Sequence, residues 1–185
     1  MWPLNPEAGR KSDSLPCVPY LHYTDTQKAT SLLAPAIKQK PCEPVTIQHL
    51  ECLCTCLNFD DPFDATVFAI ACLAFWSQAR LGELLFDSTY DPQHHIAHGG
   101  IVFGMSSSNR GYGKGWLPRT KTKPQGDWLL FTDSECANSA CHAPKWHLFS
   151  NSIVPDSGPL FAFETLDGLW CPMKKSWFLA QCNSI

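Results

Sequence analysis

Hydrophobic positions between Pro44 and Leu57 recur at the helical period, with Ile47, Leu50, Leu53, Cys54 and Leu57 on one face and Thr46 in front of them as an N-cap. This predicts an amphipathic helix. Asn58-Phe59-Asp60-Asp61-Pro62 breaks it, and the same stretch starts the next helix, with Asp61 as N-cap and Pro62 at the first helical position, where its missing N–H does no harm. From Pro62 to about Phe86 the sequence is apolar nearly all round, which predicts one central helix with Arg80 and Glu83 in its last turns. The pattern then shortens. Ile101-Val102-Phe103, Gly115-Trp116-Leu117-Pro118 and Trp128-Leu129-Leu130-Phe131 read as strands of a small three-stranded antiparallel sheet, separated by the turn-formers Asp91-Pro92, Gly99-Gly100 and Gly111-Tyr112-Gly113. Pro118 suits a strand end or an edge. Further on, Cys136, Ala140, His142, Trp146, Leu148 and Phe149 permit a helix from Ser134 to Phe149 that Pro144 kinks or restarts. A short extended pair follows, Pro159 to Phe163 with a turn at Asp167-Gly168, and then a helix begun by Pro172. The fold class is α+β, mainly α.

Residues 1–43 are rich in Pro, Ser, Thr and Lys, with one helix-compatible piece from Asp25 to Ala34, and read as a flexible linker or the remnant of a preceding DNA-binding domain. Residues 44–185 form the ordered domain. Hydrophobic residues make up 44% of the chain and charged residues 17%, which excludes wholesale disorder. The longest apolar run, Ala65 to Trp76, is too short to span a membrane, so no membrane partner is expected. The amino terminus has no secretory pattern, which points to an intracellular protein. Most of the ten cysteines lie in apolar helical runs and read as small buried hydrophobes rather than a disulfide framework.

Arg80 calls for an explanation, because a charge inside an apolar helix is costly unless it is paired or employed. Glu83, three residues on, can hold it in an ion pair, the commoner fate of such an arginine. Alternatively Arg80 receives an anion at the floor of a cleft, where a planar guanidinium matches phosphate bidentately and Glu83 orients it. Net charge is −3, which argues against a generic nucleic-acid binder. Yet no acidic residue lies between Asp91 and Asp127, where Arg110, Lys114, Arg119, Lys121 and Lys123 all fall. That local excess is an electrostatic footprint for phosphates, set against the plainer reading of a solvated hairpin.

A helix ending in Ala79-Arg80-Leu81-Gly82-Glu83-Leu84, then three strands and an Arg119-Thr120-Lys121-Thr122 hairpin, resembles the catalytic domain of tyrosine recombinases, the phage-integrase superfamily. The form is that of fungal mobile elements of the Crypton and DIRS kind. The resemblance covers residues 44–185 and implies a protein of DNA recombination or integration that binds the DNA phosphate backbone. It implies Arg80 as the first catalytic arginine, Glu83 as its acidic support and Lys121 as the general acid for the departing sugar oxygen, with Lys123 in reserve. Arg110, Lys114, Arg119 and Lys123 would hold DNA. A positioned acid of this kind is worth roughly a hundred- to ten-thousandfold in rate, and fixed cations stabilise the charge developing on the phosphoryl oxygens. The family's chemistry needs neither metal nor cofactor, and its members work as multimers, so a homo-oligomer and a nuclear location are expected. The family's second cluster, His-x-x-Arg followed by a nucleophilic Tyr, is missing. Tyr20, Tyr23, Tyr90 and Tyr112 all precede the lysine hairpin. The chain therefore reads as the N-terminal part of such a domain, incomplete at its C-terminus and inactive in strand cleavage, with the apolar face of the Phe63 to Phe86 helix partly uncovered.

Rival readings come from other classes. Cys136, Cys141, His142 and His147 offer soft metal ligands close together, as do Cys52, Cys54 and Cys56, but neither group has the paired spacing of a structural zinc site. His94, His95 and His98 read as polar loop residues. A non-catalytic DNA-binding or protein-interaction module, or a small zinc-binding protein, stand as the alternatives to a recombinase-like protein.

Overall fold

The computed structural model describes residues 44–134 and 138–185, so the reading of residues 1–43, the Asp25 to Ala34 piece and Cys136 lie outside the described residues. Helix α1 (Ile47–Cys56) begins where the pattern predicts, with the Thr46 backbone N–H donating to His49 Nδ1 at 3.0 Å, and it turns Leu50 and Leu53 inward. Helix α2 (Pro62–Ser77) starts at Asp61, whose Oδ1 accepts from the Phe63 N–H at 2.9 Å, and it buries every residue from Ala65 to Leu73. It packs against α1 and against most of the elements described below.

The long helix expected to reach Phe86 stops at Ser77. Gln78 takes a left-handed conformation, φ 55°, and a separate four-residue helix, α3 (Leu81–Leu84), follows with Arg80 as its extended N-cap. Two hydrogen bonds fix the break. Ser77 Oγ donates to the Leu73 carbonyl at 2.5 Å, and Trp76 Nε1 donates to the Asn138 carbonyl at 2.7 Å, which turns the end of α2 toward a segment far along the chain.

Strands β1 (Ile101–Met105), β2 (Gly111–Leu117) and β3 (Asp127–Thr132) form an antiparallel sheet in the order β1-β2-β3. The sheet is longer than the sequence pattern suggested, because Gly111-Tyr112-Gly113 is strand rather than turn. The reason is packing. A Cβ at Gly113 would lie 2.1 Å from the Phe131 ring, and one at Gly115 would lie 2.7 Å from Ile96, so these glycines let the inward side chains of neighbouring elements cross the strand. Ile101, Leu117, Leu129 and Phe131 are buried on the inward face, whereas Val102, Trp116, Trp128 and Leu130 point outward and are exposed.

Helix α4 (His142–Ser150) holds Pro144 in its first turn, so the proline marks a start and not a kink. Strands β4 (Ala162–Glu164) and β5 (Trp170–Pro172) form a second antiparallel pair, closed by Gly168 at φ 70°. Pro172 belongs to β5, and the last helix, α5 (Lys175–Ser184), is capped by Lys174 instead. Among the described residues, five α-helices and the two sheets make an α+β fold.

A polar group sits inside this apolar interior. Asn151 Nδ2 lies 3.0 Å from His147 Nδ1 and 3.3 Å from Thr66 Oγ1, and its Oδ1 accepts from the Glu164 N–H at 2.8 Å. His147 Nε2 is 2.8 Å from the Leu160 carbonyl, an acceptor only, so Nε2 carries the proton and Nδ1 accepts. His147 belongs to α4 and Asn151 caps its C-terminal end, Thr66 belongs to α2 and Glu164 to β4, so one network ties these elements together.

Two outcomes follow from this packing. Burial holds the His147 imidazole down at about 4 from its ordinary 6.5, and His98, whose ring lies 5.9 Å away, is lowered by burial as well. The unfolded chain binds a proton at His147 below about pH 6.5 while the folded chain does not, so stability falls as pH drops through this window, by about 1 kcal/mol per unit. Urea denaturation at pH 7, 6 and 5 checks this, and His147→Gln should flatten the dependence. Second, Gly113→Ala should cost about 1–3 kcal/mol by overpacking. In the double variant with Phe131→Ala the two penalties should combine to less than their sum, measured by the same denaturation.

Candidate nucleic-acid interface

Arg80 sits at the surface, not inside an apolar helix. Its side chain is 59% exposed, because the left-handed Gln78 turns the chain out of α2 before the arginine is reached. Glu83 Oε1 lies 3.3 Å from Arg80 Nη1, and its Oε2 accepts from the Arg80 backbone N–H at 3.2 Å, the reach-back of a capping box. The pair is therefore formed, and at this exposure it is worth at most about 1 kcal/mol. No hydrogen bond or ion pair among the described residues joins Arg80 or Glu83 to Lys121.

The β2–β3 connection is a structured loop. Thr120 N–H donates to the Lys123 carbonyl, Lys123 N–H donates to Thr120 Oγ1 at 3.0 Å, and Gly126 turns the chain back at φ 88° with its N–H on the Lys123 carbonyl. A side chain at Gly126 would strike the Trp116 ring, so the loop lies down on that indole. Within it the cations differ. Lys123 Nζ is bound to Asp127 Oδ2 at 2.6 Å, and that ammonium is the main reason the Asp127 carboxyl is held below the usual carboxylate range. Arg119 Nη1 lies 3.3 Å from His94 Nε2, while His94 Nδ1 faces Asp91 Oδ2 at 2.5 Å. The chain Asp91, His94, Arg119 orients the guanidinium through a neutral imidazole that donates at Nδ1 and accepts at Nε2. The Asp91 carboxyl is lowered, first by the Gln93 backbone N–H and then by His94. Lys121, at the tip, is exposed and has no salt bridge or hydrogen bond among the described residues.

Lys114 and Arg110 lie elsewhere on the same sheet. Lys114 Nζ stands 5.0 Å from the centre of the Trp128 ring, and Arg110 closes the turn from β1 to β2, its N–H on Ser106 Oγ at 3.1 Å. At the rise of a strand, Arg110 and Arg119 are roughly 30 Å apart. Arg119, Lys121 and Lys123 thus lie at the hairpin end, Lys114 at mid-strand with its ammonium over Trp128, and Arg110 at the far end.

The sequence reading passed over Trp116 and Trp128. They are direct cross-strand partners with ring centres 5.1 Å apart, and they remain 40% and 49% exposed. The available signal was that outward positions of β2 and β3 read apolar where a solvated sheet face reads polar.

The metal candidates fall into other roles. His147 has both ring nitrogens engaged in the buried network, and no group of three or more His, Cys, Asp or Glu among the described residues could hold a metal ion. His94 orients Arg119, His95 stacks on Phe86 at 4.4 Å, and His98 is buried rather than a loop polar residue. Cys72 and Cys141 are buried as expected, with burial pushing the Cys72 thiol up to about 12, but Cys52 and Cys56 are exposed on α1. An apolar groove of about 580 Å³ runs between α1, the end of α2 and α5, lined by Leu50, Phe75, Ala79, Leu81 and Phe178 among others, so the described residues leave part of the α2 face uncovered. No helix among the described residues is long and apolar enough to cross a membrane.

No family model, curated protein or solved structure matches this chain.

Proposed function

We propose that this chain binds the phosphate backbone of DNA through the β2–β3 hairpin, on a scaffold that resembles the front part of a tyrosine recombinase catalytic domain. The single observation that carries the reading is the hairpin itself. Lys121 projects from a loop held by backbone and threonine hydrogen bonds, with no counter-charge among the described residues, and Arg119 beside it is aimed by His94. A cation that is held out and unneutralised releases counterions when it meets a phosphate, which is the source of sequence-independent affinity. The order of a helix, the Arg80 to Glu83 turn, three strands and a cationic hairpin supports the recombinase-like part. A DNA partner carries the nuclear location with it, and pairing of copies on DNA is part of the same proposal.

Anisotropy of labelled duplex DNA over a salt series tests this with the wild type, Arg119→Ala, Lys121→Ala and Arg110→Ala. Each hairpin substitution should weaken binding on all duplex sequences alike and reduce the slope of log affinity against log salt by about 1. Arg110→Ala should have the smaller effect, since that residue lies at the other end of the sheet. Absence of wild-type binding at low salt, or unchanged slopes in the hairpin variants, would sink the reading.

A further inference from the structure

An antiparallel sheet with one solvated face normally alternates apolar inward and polar outward. Here the outward positions are Val102, Tyr112, Lys114, Trp116, Trp128, Leu130 and Thr132, and four of the apolar ones are 40% to 64% exposed. Leaving such area in water forgoes its burial energy, so a contiguous patch of this kind marks a surface that is covered in use. The two indoles are also held in place. Gly126 seats the hairpin against Trp116, and Lys114 lies over the Trp128 ring. Tyr112 lies across Gly104 on the same face, where a Cβ would meet its ring at 2.7 Å.

The charges around this face select the occupant. Lys114 stands within it, Arg119 and Lys121 border it at the hairpin, and the nearest acid, Asp127, is occupied by Lys123. An aromatic surface fringed by cations complements a strand of anionic phosphates carrying flat apolar bases. We propose that the outward face of the β1-β2-β3 sheet is a stacking platform for unpaired bases, with Trp116 and Trp128 each taking one and Lys114, Arg119 and Lys121 holding the adjoining phosphates. This rests on the DNA-binding reading and narrows it to DNA with a single-stranded segment. In a paired duplex the base faces are already stacked on their neighbours, so the duplex can use the cations but not the indoles.

The experiment compares the full chain on an oligothymidylate single strand and on a duplex of equal length, by anisotropy at one salt concentration. The variants are Trp116→Ala, Trp128→Ala, their Phe counterparts, and Lys121→Ala. Stacking of a base on an aromatic ring is worth about 1–3 kcal/mol, so each alanine variant should lose roughly fivefold to a hundredfold of single-strand affinity. Each should lower duplex affinity severalfold less than single-strand affinity, since the duplex meets only the cations these rings support, and phenylalanine should restore most of the loss. Lys121→Ala should weaken both ligands. Unchanged thermal melting of the alanine variants shows that the sheet persists. A sheet that fails to form in them moves the test to the phenylalanine pair, which must then bind the single strand near wild-type level and ahead of Trp→Leu. Equal single-strand affinity in wild type and alanine variants overturns the platform while leaving phosphate binding intact. A wild type that binds only duplex does the same. A wild type that binds neither removes the DNA reading itself, and indole-dependent binding of a neutral oligosaccharide in that case assigns the face to sugar instead.

Discussion

The hydrogen bonds among Thr66, His147 and Asn151 are what the rest of this fold hangs on. They sit at zero exposure between α2 and α4, where each unpaired polar atom would cost about 1–3 kcal/mol, and the principal groups of the set are met. The Asn151 amide donates toward the Pro62 carbonyl and Thr66 as well as toward His147, and its oxygen accepts from β4. Apolar packing alone would allow α4 to slide or rotate on α2, since Ala, Val and Leu surfaces tolerate many registers. A network of fixed donors and acceptors allows one. The network is specific only while His147 is neutral, because protonation would give Nδ1 a hydrogen facing the Asn151 amide.

Much of the helical order was legible from the chain. Asp61-Pro62 starts α2 because a carboxylate oxygen takes the Phe63 N–H and proline needs no acceptor, a purely local argument. The end of α2 was not legible, since apolar residues continue through Leu81, Leu84 and Leu85 and nothing local requires a stop. That stop depends on Trp76 reaching the carbonyl of Asn138, sixty-two positions along the chain. The glycines of β2 failed for a related reason. In sequence a glycine advertises conformational freedom, but here Gly113 is needed for the space Phe131 occupies, which only the assembled sheet reveals. The spacing of Cys141, His142 and His147 already spoke against a zinc site, but the depth at which His147 is buried was not legible.

For the interface, the sequence identified which cations cluster but not which are free. Lys123 is spent on Asp127, four residues on, and Lys114 on an indole directly across the diagonal, so neither is a bare charge. Arg119 is held by a histidine that lies twenty-five positions earlier. Among the described residues, Lys121 at the hairpin and Arg110 at the far end of the sheet keep the independence that a charge count attributes to all of them. The two faces of the sheet divide the labour: Phe131, Leu129 and Ile101 fasten it to the core, which leaves the outward residues free to be chosen for something other than stability.

Arg80 bears on how far the proposed phosphate binding could extend to reaction at a phosphate. Stabilising charge in a phosphoryl transition state needs donors preorganised in a site from which water is excluded, where each interaction is far stronger than at a surface. Arg80, mostly exposed and already leaning on Glu83, stands in water, where a unit charge attracts another at contact distance by only about 1 kcal/mol. Glu83 itself is more sheltered than its partner, with 15% of its side chain exposed, so the carboxylate anchors the guanidinium rather than the reverse. A second surface closing over this turn would change the arithmetic by desolvating the pair. A strand bound as proposed, stacked on the sheet and following the hairpin cations, would not by itself supply that closure.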